Sequence, residues 1–118
     1  MLVVPGHLTE QSDDAMYWTK VFATRTEIVV ALCDEELLDK VMEFKKTGAK
    51  IKVSKYFYGE HLIDEKDVLK LMSRATIGNL MGKNVINLAE RHGFISKENI
   101  INIDGIPHAQ FVKLEEKR

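Results

Sequence analysis

Hydrophobic positions fall into ordered patterns only after residue 15. Before that the chain offers Leu2-Val3-Val4, a Pro5-Gly6 turn signal and the polar run Thr9-Glu10-Gln11-Ser12-Asp13-Asp14. No period is visible there, as expected of a flexible N-terminal extension over residues 1–15. Two strands are then predicted, Tyr17 to Thr24 and Glu27 to Cys33. The second contains Ile28-Val29-Val30-Ala31-Leu32, an unbroken run of β-formers of the kind buried on both faces of a sheet. Thr24-Arg25-Thr26 makes a short polar hairpin joint, without the Asn-Gly or Asp-Gly pair of the tightest turns.

Asp34 next reads as an N-cap. Glu35 and Glu36 stand in a first helical turn, where the macrodipole favours acids. Leu37, Leu38, Val41, Met42 and Phe44 supply an apolar helical face, Lys45 and Lys46 the last turn, and Gly48 the C′ position. Lys50 to Tyr58 alternates and then becomes aromatic, predicting a third strand closed by Gly59. A helical pattern runs from Asp64 to about His92. At roughly 1.5 Å per residue one helix of that length would outgrow a small domain. A break near Gly78 or Gly82 is therefore expected, giving two packed helices. Ile100–Ile103 and Ala109–Leu114 predict a last strand pair around an Asp104-Gly105 turn. The order of elements predicts an α+β fold. It is a single small domain over residues 16–118, with a mixed, mainly antiparallel sheet of four to five strands and three helices.

Composition narrows the classes. The 118 residues include one cysteine, so a disulfide framework and a cysteine-based zinc site are excluded. His7, His61, His92 and His108 show no metal-ligand spacing, and no glycine-rich phosphate loop is present, so neither metal nor cofactor is expected. No apolar run approaches the roughly 18 residues of a membrane span, and the first residues lack a basic lead, so a cytoplasmic protein without membrane contact is expected. The formal net charge of −1 excludes a uniformly basic nucleic-acid coat, but the cancellation is not local. Acids gather at Asp13-Asp14, Asp34–Asp39 and Glu60–Asp67, while five lysines and no acid lie between Lys45 and Lys55.

Those lysines (Lys45, Lys46, Lys50, Lys52 and Lys55) form the first candidate site, a set able to hold a phosphate backbone. The competing reading is structural: Lys45 and Lys46 oppose a helix dipole, and lysine on a strand edge blocks edge pairing. The second candidate is the acid-free series Thr76, Asn79, Lys83, Asn87 and Arg91, whose spacing would align them on one continuous helix. A helix break would divide it. The third is Asp104-Gly105-Ile106-Pro107-His108-Ala109-Gln110. Here Ile106-Pro107 is a tertiary amide able to be cis, and His108 and Gln110 point the same way in extended chain. Cys33 precedes the expected helix N-terminus but is flanked by acids, so a buried, inert thiol is expected.

Four stretches carry a resemblance: Arg74–Lys83, Asp104–Gln110, Val30–Leu38 and Phe57-Tyr58-Gly59. With them the chain resembles the archaeal domain-of-unknown-function family 424 over about residues 17–114. The resemblance implies a small archaeal α+β protein without an assigned reaction, and a setting in translation. The resulting expectation is a non-enzymatic, ribosome-associated (small-subunit) or RNA-binding protein whose partner is ribosomal RNA or a ribosomal subunit. It would dock through Lys45–Lys55 and Lys83–Arg91, with Asp104–Gln110 as a shaped turn at the contact. The alternative is a small enzyme or ligand-binding domain with His108 as acid/base, oriented by Gln110, Asn79 or Asp104. A third possibility is a protein adaptor anchored by Tyr56, Phe57 and Tyr58, which exposure of two or more of those rings would favour.

Overall fold

In the computed structural model, residues 15–114 are described. All but Ala15 of the expected extension lies outside them. The hairpin appears where the pattern places it. Strand β1 (Met16–Ala23) runs antiparallel to β2 (Ile28–Asp34). The Thr24 hydroxyl accepts from the Thr26 and Glu27 N–H groups and fixes the joint. β2 is the central strand its composition predicts. Val30 and Leu32 point to one core and Ala31 and Cys33 to another, and all four are fully buried.

The expected helix after Asp34 is replaced by a 3-10 turn (Glu35–Leu37) and a hairpin of β3 (Val41–Phe44) and β4 (Ala49–Lys52). Asp39, at φ 69°, ends the turn in a left-handed conformation. Beyond it a period of two wins over 3.6: Met42 and Phe44 turn inward while Val41 and Glu43 face water. Gly48 has positive φ, as a helix C′ residue would, but uses it in the β3–β4 turn. The expected strand over 50–58 is likewise shorter. It ends at Lys52, and Ser54 caps a single turn, α1 (Lys55–Tyr58), by accepting from the Tyr56 N–H.

The long helical pattern is broken by a whole strand. β5 (His61–Asp64), which the sequence pattern did not predict, leads into α2 (Glu65–Arg74); then come β6 (Ile77–Met81) and α3 (Lys83–Arg91). Leu80 and Met81 are buried, and so is Gly78, whose added Cβ would lie 2.2 Å from the Phe111 ring. Gly82 at φ 120° is a backbone that no continuing helix allows. After a 3-10 turn (Lys97–Asn99), β7 (Ile101–Ile103) and β8 (Ile106–Val112) close the fold around Asp104-Gly105, both at positive φ as a type I′ turn requires. The Ile106–Pro107 bond is trans.

The main sheet has six strands, in the order β5-β1-β2-β6-β8-β7, and β3–β4 forms a separate pair. The expected four to five strands undercount it. Only β2–β6 is parallel, so the sheet is mixed and mainly antiparallel. Three α-helices are present among the described residues, although the first predicted helix is not one of them. Helices α2 and α3 cover one sheet face with a core that includes Leu32, Val68, Met72, Leu80 and Leu88. A strap made of the 3-10 turn, β3, β4 and α1 covers part of the other, through Leu37, Met42, Val53 and Tyr58. No helix is long and apolar enough to cross a membrane among the described residues.

Candidate functional site

The Asp104-Gly105 turn stands between two clefts. On one side the β3–β4 hairpin leans against it: Asp104 Oδ2 accepts from the Glu43 N–H at 3.4 Å, and Lys45 Nζ lies 4.0 Å from Asp104 Oδ1. Between them opens a cleft of about 400 Å³ bordered by Phe44, Lys45, Lys46, Asn102 and the turn. On the other side Asp34, Glu36, Lys40, Lys83, Gly105 and Pro107 border a cleft of about 320 Å³. Gly105 thus lies in both walls. Four lysines from three separate segments, Lys40, Lys45, Lys46 and Lys83, flank one glycine.

Asp34 anchors this pole. It gives no side-chain cap to the turn that follows it. Its carboxylate instead reaches across to α3 and accepts from the N–H groups of Asn84 and Val85, both at 2.9 Å. It therefore caps a helix 50 residues away, whose own N-cap position, Gly82, has no side chain. Gly82 is glycine for two reasons. Its φ is positive, and a Cβ there would sit 2.4 Å from the Asp34 carboxyl carbon. The Gly82 N–H donates to the Pro107 carbonyl at 2.9 Å, which ties the start of α3 to β8. Burial raises the Asp34 pKa, against the lowering effect of the two backbone hydrogen bonds and of Lys83.

A second polar group sits on the strap face of the sheet. Asn79 Oδ1 accepts from the Tyr58 hydroxyl at 2.8 Å and meets His108 Nε2 at 3.0 Å. That contact requires the proton on Nε2 and leaves Nδ1 as an acceptor. Burial lowers the His108 pKa, so the ring is neutral at pH 7. Gln110 is exposed on the same face, paired directly with Asn79 across β6 and β8. Three of the stretches that carry the resemblance, around Tyr58, Asn79 and His108, meet in these two bonds. The fourth, through Asp34, lies against Gly82 and borders the same cleft as Pro107.

The remaining candidates scatter. Lys50 and Lys52 share the exposed face of β4, with Lys52 Nζ 4.0 Å from Asp39, and Lys55 opens α1. The Thr76-to-Arg91 series is not one stripe. Asn79 lies on the strap face and α3 packs on the other. Thr76 is spent on Glu27 and Ile28. Arg91 donates to Asn87 and lies 3.8 Å from Glu65. Cys33 is buried, and burial among acids pushes its thiol up to about 12. Tyr58 is buried, whereas Tyr56 and Phe57 are 78% and 37% exposed. Lys40 was missed because it falls within the stretch that reads as a helix, and Lys20 because a lone lysine in a strand gives no signal. No group of three or more metal-ligating side chains occurs among the described residues.

Three comparisons bear on this geometry. The sequence model of a family described as "Protein of unknown function (DUF424)" matches residues 22–114. A crystal structure of an uncharacterized conserved protein from the archaeon Methanopyrus kandleri has a similar fold. Its TM-score is 0.72 at 22% sequence identity, over 88% of this chain and 98% of that one. No curated protein matches.

Proposed function

Because the chain belongs to the DUF424 family, which is described only as of unknown function, we infer its role from the geometry of the Gly105 pole. The protein is a non-enzymatic RNA-contacting component of archaeal translation, docked on the small ribosomal subunit or its RNA. The observation that supports this best is the convergence of Lys40, Lys45, Lys46 and Lys83 on both sides of the Asp104-Gly105 turn. A positive-φ turn without a Cβ admits a phosphate backbone close to the main chain, and the lysines on either side neutralise it. The acids nearby constrain the mode of binding. Asp34 is occupied with α3 and Asp104 with the hairpin, so Glu36 is the carboxylate that faces an approaching phosphate. With a net charge of −1 the protein cannot bind RNA over its whole surface, and the lysines of this pole supply the main phosphate contact.

The small-enzyme reading has weaker support. His108 has its Nε2 committed to Asn79, and it borders neither cleft beside the turn. Co-sedimentation with archaeal small ribosomal subunits tests the RNA reading. The protein should travel with the subunit at moderate salt, and the triple variant Lys45→Gln/Lys46→Gln/Lys83→Gln should leave it. Free wild-type protein even at low salt sinks the reading.

A further inference from the structure

The strap leaves one end of its sheet face open. There Phe22, Val29, Ile77 and Val112 stand side by side across β1, β2, β6 and β8, each in direct register with the next. None of the four is buried. The adjoining row on the same face reads Lys20, Ala31, Asn79 and Gln110. Helix α1 stands over this second row. It stacks Phe57 on Phe22 at 5.5 Å between ring centroids and leaves the Tyr56 ring in solvent. Lys20 Nζ donates to the Tyr56 carbonyl and lies 5.3 Å from the Phe22 ring centre, so a positive charge is held at the wall. The two rows and α1 contain Lys20 and Lys55 and no carboxylate. Glu27, just beyond the open row, is turned to the Thr76 hydroxyl at 2.7 Å.

Two details go beyond an ordinary apolar patch. Asn79 Oδ1 is already engaged twice, yet its NH2 group has no hydrogen bond among the described residues. Directly opposite, Gln110 offers a complete exposed amide. Apolar surface and an exposed aromatic ring therefore border one held amide, Asn79, and one free amide, Gln110, with lysines at the margin.

We propose that this shelf receives unpaired bases of a single-stranded RNA segment. Base faces lie on the apolar row and Tyr56, base edges meet Asn79 and Gln110, and the lysines hold the phosphates. The charge pattern favours RNA over an apolar peptide. Apolar side chains would cover the row without meeting the Asn79 NH2 or the Gln110 amide, whereas a base brings a flat face and a polar edge in one rigid unit. The proposal rests on the RNA reading above and adds that strandedness is sensed on the sheet, away from the lysine pole.

Fluorescence anisotropy of the full chain tests it, using labelled 12-nucleotide single-stranded RNA and a 12-base-pair RNA duplex at fixed salt. Tyr56→Ser and Val112→Ser alter exposed positions and should leave the melting temperature unchanged. Together they should weaken single-strand binding about tenfold or more and leave duplex binding unchanged. The triple lysine variant should weaken both. Single-strand affinity within twofold of wild type in the Tyr56/Val112 variant overturns the shelf but not the pole. Absence of binding to either RNA overturns both. A concentration-dependent dimer abolished by Val112→Ser would assign the row to a second copy, and stronger single-strand binding on deleting residues 1–14 would assign it to that segment. Either result overturns the proposal.

Discussion

The two faces of the six-stranded sheet are built on opposite terms. Helices α2 and α3 cover one face with aliphatic side chains, among them Val68, Met72, Val85 and Leu88, all nearly or fully buried. A short strap covers the other only in part and holds the Tyr58–Asn79–His108 hydrogen bonds, the basic hairpin tip and the open row ending at Val112. The same strands serve both faces, because side chains alternate along them. One face supplies cohesion. The other, which has less to bury, carries a hydrogen-bonded polar cluster, whereas the first buries few polar side chains, Thr19 among them.

The largest test of that division compares residues on two neighbouring strands. Leu80 is fully buried beneath α3, whereas Val112 is 56% exposed at the end of the open row. Leu80→Ala should cost about 2–5 kcal/mol in urea unfolding. Val112→Ala should stay within about 0.5 kcal/mol. Similar costs would mean that the open row is part of a shared core, and the contrast between the faces would fail.

Asp34 sharpens the comparison because it sits at the pole where both faces end. Asp34→Ala strips the acceptor from two N–H groups at the start of α3 and should cost about 1–3 kcal/mol. The pH dependence carries a sign. Folding raises this carboxyl's pKa, so the native state holds its proton more tightly than the unfolded chain does. Its contribution is fully present below the unfolded value and is lost as pH rises through the raised folded one. The stability of wild type relative to Asp34→Asn should therefore fall as pH rises through that window. A relative stability that instead grows with pH would show that the two backbone hydrogen bonds outweigh burial.

The sequence pattern revealed much of the first face and little of the second. The β1–β2 hairpin, the doubly buried β2, most of α2 and α3, and the Asp104-Gly105 turn all follow from local chemistry. What failed were segments whose state a remote neighbour decides against the local pattern. Gly78 and Leu80 sit in a helical period but are held as strand between β2 and β8, with Phe111 filling the space a side chain would take. Asp34 does look like an N-cap; nothing local says that its helix begins 50 residues later. Met42 and Phe44 fit both periods, and the strap's packing on Cys33 and Met81 decides between them. The candidate site was legible as residue types, not as a constellation. The lysine run was visible, but its convergence with Lys40 and Lys83 on Gly105 required the hairpin that the helical reading denied.

The smallest expected effect falls on the second face. His108 is held neutral by burial and donates from Nε2 to Asn79. Because folding lowers its pKa, the unfolded chain binds this proton more readily. Stability should then decline as pH falls below the ordinary imidazole value of about 6.5 and level off beneath the lowered folded one. His108→Gln keeps an amide donor for Asn79 but cannot titrate. It should remove that acid-side loss, which we place at under about 1 kcal/mol for a half-buried ring. The measurement is urea unfolding of both proteins from pH 7 to pH 5, with the imidazole followed by NMR in the wild type. A matching decline in the variant would take His108 out of the pH response. If the loss vanishes and single-strand RNA binding in the wild type weakens over the same range, protonation of His108 is disturbing the Asn79 amide that the open shelf uses. The second face would then be tuned by a half-buried imidazole, where the centre of the first face, around Leu32, Leu80 and Leu88, is aliphatic.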